Sequence, residues 1–106
     1  MNVTIRFKGF ESSEAAKTYL EERAKKLIKF LPPTTTVNAT LEDDKVRKIV
    51  ELTLRHKGAE YVVKQESDNL TTSIDDAVDK LMRQLSRAKD KKQKKHTGVT
   101  KEVVEM

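Results

Sequence analysis

A dense row of basic side chains lies toward the C-terminal end of the chain. Residues 80–95 contain eight lysines or arginines and one acid, Asp90. The basic residues are Lys80, Arg83, Arg87, Lys89, Lys91, Lys92, Lys94 and Lys95. Ammonium and guanidinium groups donate charge-assisted hydrogen bonds to phosphate oxygens, and a row of them neutralises a phosphate backbone. The row therefore predicts a surface that binds nucleic acid.

The positive charge of the protein is confined to this row. The formal net charge is +5, to which residues 1–79 contribute −1, residues 80–95 contribute +7 and residues 96–106 contribute −1. A solvated helix face is the alternative interpretation, because the helix dipole favours Lys and Arg near a C-terminus. The eight-to-one excess of bases over acids in the row favours RNA or DNA binding instead.

Helical periodicity places the row opposite an apolar face. With Ile74 at 0° and about 100° per residue, Val78, Leu81 and Leu85 fall within about 40° of it. Between roughly 180° and 260° lie Lys80, Arg83, Arg87, Lys91 and Lys94. We expect the apolar face to pack on a sheet and the basic stripe to face outward. Asp75, Asp76 and Asp79 precede the stripe, and we interpret them as acids in the first turn of this helix.

The elements that position this helix follow from apolar spacing and turn residues. Alternating residues predict strands, spacing of three and four predicts helices, and Pro32–Pro33 ends the first helix. The predicted elements are a strand at 3–7, a helix at 14–31 capped by Ser12 or Ser13, a strand at 37–41, a turn at 42–45, a strand at 46–55, a loop at 56–59, a strand at 60–67, and a helix from Asp68 or Asn69 to about Lys91.

The order β-α-β-β-β-α predicts an α+β fold. We expect antiparallel strands in one four-stranded sheet, with both helices on one face, as a two-layer sandwich. Residues 1–91 form a single domain in this interpretation, and residues 92–106 form a tail that is basic and then flexible.

Other candidate residues predict little chemistry. Arg23 and Lys26 lie three apart on the first helix, where ion pairs with Glu21 or Glu22 would explain them. The acidic run 42–44 lacks the ligand alternation and glycine of a calcium loop, so we interpret it as an ordinary turn. His56 and His96 are isolated, and we expect surface positions for both.

Composition and motifs limit the possible classes of protein. The chain has no Cys and no long apolar run, and its first ten residues do not resemble a signal peptide. A cytoplasmic protein without a membrane partner is expected. No motif for catalysis is present, and we expect neither an enzyme nor a metal or other cofactor. The few aromatic residues form no evident stacking platform, which favours recognition of structured RNA by shape and phosphate.

The second helix carries motifs of a known family. The motifs are Ser73-Ile74-Asp75, Lys80-Leu81-Met82-Arg83-Gln84-Leu85 and Lys89-Asp90-Lys91, with Arg23 and Lys26-Leu27 on the first helix. With these motifs the chain resembles the ribosome hibernation promoting factor family, which includes the ribosome-associated inhibitors, over residues 1 to about 95. The family pattern has an A-I-D segment, then K-L-x-R-Q-L, then K-x-K.

The resemblance implies a fold like a double-stranded-RNA-binding domain with an added first strand. It also implies a stress or stationary-phase factor that binds the small ribosomal subunit, or the whole ribosome, between head and body. There it would exclude messenger and transfer RNA and inhibit translation. By position, the residues that would contact ribosomal RNA are Arg23, Lys26, Lys80, Arg83, Lys89, Lys91 and Lys92. Off the ribosome we expect a monomer.

Two other hypotheses remain open from the sequence. The same stripe would serve a general structured-RNA-binding protein or RNA chaperone. It would also serve a protein-interaction module that recognises an acidic partner. Whether residues 97–106 promote or oppose ribosome pairing is also left open.

Overall fold

The protein contains four strands and two α-helices within the residues that the computed structural model describes, which are 1–9, 11 and 13–93. Side chains are described as far as Ala88. The elements are β1 (Asn2–Lys8), α1 (Glu14–Ala24), a 3₁₀ helix (Lys25–Phe30), β2 (Thr36–Asp44), β3 (Arg47–His56), β4 (Ala59–Ser67) and α2 (Leu70–Gln93). The predicted order of strands and helices is confirmed. The predicted flexible tail lies outside the described residues from position 94 onward.

The strands lie in the order β1-β2-β3-β4 in one sheet. The β2–β3 and β3–β4 pairs are antiparallel, as expected, but β1 and β2 are parallel. The prediction of antiparallel strands was therefore wrong for this pair. The reason is the connection: α1 carries the chain back along the sheet before β2 begins, which makes a β-α-β crossover.

The hydrophobic core lies between one face of the sheet and the helices. The sheet contributes Val37, Ala39, Leu41, Val50, Leu52, Leu54 and Val63, all buried. The helical segments contribute Ala16, Leu20, Ala24, Leu27, Ile74, Ala77, Val78, Leu81 and Leu85. The opposite sheet face is polar, with Arg6, Thr40, Glu51 and Lys64 in one row across the four strands. The two-layer α+β arrangement is confirmed.

The first helix is shorter than the spacing predicts. Ser13 caps it, since its Oγ accepts a hydrogen bond from the Ala16 amide at 3.1 Å. The α-helix ends at Ala24, and a 3₁₀ helix continues to Phe30. Three residues per turn place Ala24 and Leu27 on one side, where both are buried, and leave Ile28 54% exposed. Apolar spacing of three thus fits the tighter helix better than the predicted α-helix.

The start of α2 is fixed by Asn69. Its side-chain Oδ1 accepts hydrogen bonds from the amides of Thr71 at 2.9 Å and Thr72 at 3.3 Å. Ser73, which is fully buried, donates to the Lys48 carbonyl at 2.7 Å and so ties α2 to β3. Because the helix begins at Leu70, its first turn contains no acid, and the interpretation of Asp75 and its neighbours as first-turn acids was wrong.

The two hairpin turns are tighter than predicted. The acidic run 42–44 belongs to β2, so the turn to β3 consists of Lys45 and Val46, with Lys45 at φ 60°. The turn to β4 consists of Lys57 and Gly58, at φ 53° and 79°. In this second turn both central residues have positive φ, which matches the right-handed twist of the flanking strands. Within the described residues, neither helix is long and apolar enough to span a bilayer.

Candidate nucleic-acid interface

Three exposed basic side chains follow the outer face of α2. Lys80, Arg83 and Arg87 are exposed, and Leu81 and Leu85 on the opposite face are buried. At 1.5 Å per residue, the three basic residues span roughly 10 Å along the helix axis. None forms an ion pair with another side chain that the structure describes. We call Lys80, Arg83 and Arg87 the outer stripe.

The predicted continuation of the stripe is described only in part. Lys89, Lys91 and Lys92 lie within α2, which the structure describes there by its backbone. Lys94, Lys95 and His96 lie outside the described residues. A role for these lysines in RNA binding, and a surface position for His96, therefore stay predictions from the sequence.

Arg23 and Lys26 on the first helical segment are paired with acids of α2. Arg23 Nε lies 2.9 Å from Asp75 Oδ1, and Lys26 Nζ lies 3.3 Å from Asp79 Oδ1. The sequence suggested Glu21 or Glu22 as partners, but Glu22 pairs with Lys25 at 3.2 Å. The local alternative was wrong in its partners, because packing brings α2 alongside the first helix.

Tyr19 completes the contact around Asp75. Its hydroxyl donates to both Asp75 oxygens at 2.9 Å, and the Arg23 guanidinium carbon lies 5.8 Å from the centre of the Tyr19 ring. The hydrogen bond to the carboxylate raises the pKa of Tyr19, with smaller contributions from desolvation and the Asp75 charge. Arg23 is thus held by an ion pair on one side and by an aromatic ring on another.

One column of α2 changes sign along its length. Asp75, Asp79, Arg83 and Arg87 are spaced by four, so they are neighbours on one side of the helix. The acidic half of this column meets Arg23 and Lys26, and the basic half extends beyond that contact. The two acids are therefore matched by the first helix, and they leave the charge of the outer stripe uncompensated. A search for residues spaced by four would have revealed the column in the sequence.

The acidic end of β2 holds a local ion pair. Asp43 Oδ1 accepts from Lys48 Nζ and from the Lys45 amide, each at 2.9 Å. The hydrogen bond from Lys48 lowers the pKa of Asp43, and the charge of Lys48 and the Lys45 amide act in the same direction. Among the described residues, no group of three or more His, Asp or Glu side chains is arranged to hold a metal ion.

A family model covers almost all of the described chain. Residues 3–93 match the model of the Sigma 54 modulation protein / S30EA ribosomal protein family. The ribosome hibernation promoting factor of Azotobacter vinelandii is 31% identical over 98 residues, covering 92% of each chain. That of Salmonella typhimurium is 32% identical over 91 residues, covering 86% of this chain and 96% of the relative.

Solved structures share the fold. The N-terminal domain of Thermus thermophilus Protein Y superposes with a TM-score of 0.74 at 24% identity, over 82% of this chain and 98% of that domain. A ribosomal subunit interface protein from Coxiella burnetii gives 0.73 at 22% identity, over 85% and 99%. Together with the match over residues 3–93, these findings show that the chain belongs to the S30EA family of ribosome hibernation promoting factors.

Proposed function

We propose that this protein is a cytoplasmic ribosome hibernation factor that binds the decoding region of the small ribosomal subunit. Bound there, it occupies the space of messenger RNA and of the transfer RNA anticodon ends, and so inhibits translation without catalysis. The observation that carries the proposal is the outer stripe, since three exposed cations on one rigid helix lack partners among the described side chains.

The outer stripe binds ribosomal RNA through phosphates in this proposal. Lys80, Arg83 and Arg87 neutralise phosphate charge, and each neutralised phosphate releases condensed counterions. The helix fixes the spacing of the three side chains before binding, which lowers the entropy lost in the complex. The residues 89, 91, 92, 94 and 95 extend the same basic segment in the sequence.

Arg23 and Lys26 contribute from the first helix. The ion pair with Asp75 uses Arg23 Nε, and the terminal nitrogens of the guanidinium are then available to a phosphate. Tyr19 and Asp75 act as positioning residues, because together they fix the plane of that guanidinium. Lys26 lies next to Asp79, four residues before Arg83, so it adds a cation beside the outer stripe.

Charge reversal of the outer stripe tests the proposal. The variant Lys80→Glu/Arg83→Glu/Arg87→Glu should no longer sediment with small subunits in a sucrose gradient. A matched control, Lys8→Glu/Lys17→Glu/Lys64→Glu, changes the net charge equally at exposed positions elsewhere. It should sediment nearly as wild type does. Equal loss in both variants would mean that net charge, and not the outer stripe, determines binding.

Competition distinguishes the decoding region from other RNA. Small subunits loaded with messenger RNA and an initiator transfer RNA should take up much less of the protein than empty subunits. Uptake that is equal on loaded and empty subunits would favour the second candidate, a general structured-RNA-binding protein or RNA chaperone. Binding that survives nuclease digestion of the RNA would favour an acidic protein partner.

A further inference from the structure

A cleft lies where the 3₁₀ helix, the β3–β4 hairpin and α2 meet. Its volume is about 290 Å³, near the lower limit of small-ligand pockets, which begin at roughly 300 Å³. The residues that line it are Lys29, Phe30, His56, Lys57, Ala59, Tyr61, Leu85 and Ala88. We call it the hairpin cleft. Its size suits one flat ring system rather than a folded ligand or a long peptide.

Two aromatic rings line the hairpin cleft although they lie far apart in the sequence. Phe30 and Tyr61 are both half-buried, and both pack against the core. His56, for which the sequence predicted a surface position, is half-buried as well. The cleft therefore offers ring faces next to the apolar side chains of Leu85 and Ala88. Such faces stack on any nucleobase, because every base has a π-face.

The charge at the cleft is positive. Lys29 and Lys57 both line it, and no carboxylate is among the lining side chains that the structure describes. Lys29 Nζ lies over the Phe30 ring, 5.6 Å from its centre, so a cation is held against the aromatic surface. The two lysines disfavour a cationic ligand, and together with the rings they favour an aromatic ligand that carries negative charge.

The cleft lies at the level of the outer stripe along α2, but toward the buried side of that helix. Leu85 lies between Arg83 and Arg87 in the chain, and Ala88 follows Arg87 directly. Because a helix is about 10–12 Å across, an RNA strand whose phosphates lie on the outer stripe must pass around α2 to bring a nucleotide to the cleft.

We propose that the hairpin cleft binds one unstacked nucleobase of the RNA that the outer stripe holds. The proposal rests on the proposed function for the presence of RNA at α2. It adds a site that reads an extruded or bulged nucleotide, whereas the outer stripe contacts only phosphates. Phe30 and Tyr61 supply the stacking surface, and Lys29 and Lys57 meet the phosphates on either side of the flipped base.

Three RNA hairpins of one sequence test the cleft by fluorescence anisotropy. One has a single bulged adenosine, one has an abasic bulge at that position, and one is fully paired. The abasic hairpin keeps the phosphates and lacks only the base. Wild-type protein should bind the adenosine bulge at least five-fold more tightly than the abasic bulge, since stacking of a base on an aromatic side chain is worth roughly five- to 150-fold in affinity.

Variants assign the preference to the rings. Tyr61→Leu keeps an apolar side chain and should bring the two affinities within two-fold of each other. Tyr61→Phe keeps the ring and should retain the preference, and thermal melting of both variants checks the fold. Arg83→Gln should weaken binding of all three hairpins by a similar factor, because it removes a phosphate contact.

The outcomes separate the cleft from the proposed function. Suppose that wild-type protein binds the adenosine and abasic bulges equally well and still sediments with small subunits. That result would overturn the proposal that the hairpin cleft binds a nucleobase, and it would leave the proposed function intact. Loss of sedimentation would remove the proposed function. If Tyr61→Leu still prefers the adenosine bulge to the abasic bulge, the proposal for the cleft is also overturned, since the base would then be bound elsewhere.

Discussion

Arg23 Nε and Asp75 Oδ1 lie 2.9 Å apart and join α1 to α2 across 52 positions of the chain. Both side chains are more than one-third exposed, so the pair adds little to stability by itself. Its main effect is geometric, because Asp75 also accepts from Tyr19 and thereby fixes both partners. The carboxylate that pairs with Arg23 Nε therefore also determines where the rest of that guanidinium lies.

The pKa of Tyr19 should depend on its hydrogen bond to Asp75. Hydrogen bonding to Asp75 raises the pKa of Tyr19, so this contribution to stability is present below the ordinary tyrosine pKa near 10 and is lost as pH rises through the folded value. In a Tyr61→Phe background, where Tyr19 is the remaining tyrosine, Asp75→Asn should lower the pKa of Tyr19 in an ultraviolet absorbance titration. An unchanged titration would mean that the hydroxyl does not bond to Asp75 in solution.

The salt dependence of binding to small subunits should reflect the number of phosphates that the outer stripe contacts. Replacing Arg83 by Gln removes one cation, and the slope of log affinity against log salt for small subunits should become shallower by about 1. Lys64→Gln, at an exposed position on the opposite sheet face, should leave the slope nearly unchanged. Identical slopes for wild type and Arg83→Gln would contradict a phosphate contact at Arg83.

Ser73 should stabilise the joint between α2 and β3. Its buried hydroxyl donates to the Lys48 carbonyl at 2.7 Å and lies 2.7 Å from Ser67 Oγ. Ser73→Ala removes both of these buried contacts and should lower the free energy of unfolding by about 1–3 kcal/mol in urea. Thr72→Ala, one residue earlier and exposed, should change it by no more than about 0.5 kcal/mol. Similar losses of unfolding free energy in both variants would contradict a stabilising role for this hydrogen bond.

Asp43 should make stability sensitive to acid. Its pKa is lowered mainly by the hydrogen bond from Lys48, so its contribution is fully present above the unfolded value near 3.8 and is lost as pH falls through the folded value. Asp43→Asn should therefore be less stable than wild type at neutral pH, and the difference should shrink below about pH 4. Asp44→Asn, at the exposed last position of β2, serves as the control. A difference that is constant with pH would contradict the ion pair.

The helices and strands were predictable because their signals are local. Alternation in Val37, Ala39 and Leu41 indicates a strand with one buried face, and the spacing of Ile74, Val78 and Leu81 indicates the buried side of a helix. Opposite that side, the outer stripe follows from the same arithmetic and is exposed. Element ends were less accurate: the first helix was drawn through Leu31 although its α-helical part ends at Ala24.

What the sequence determined by itself is the set of elements, their apolar faces and the concentration of charge between Lys80 and Lys95, because each depends on residues within a few turns of one another. The tertiary structure alone decided the parallel pairing of β1 with β2, the ion pairs that Arg23 and Lys26 make with Asp75 and Asp79, and the placement of Phe30 and Tyr61 around the hairpin cleft. These contacts join residues that are dozens of positions apart. They form only when burial of the core brings the sheet and both helices together.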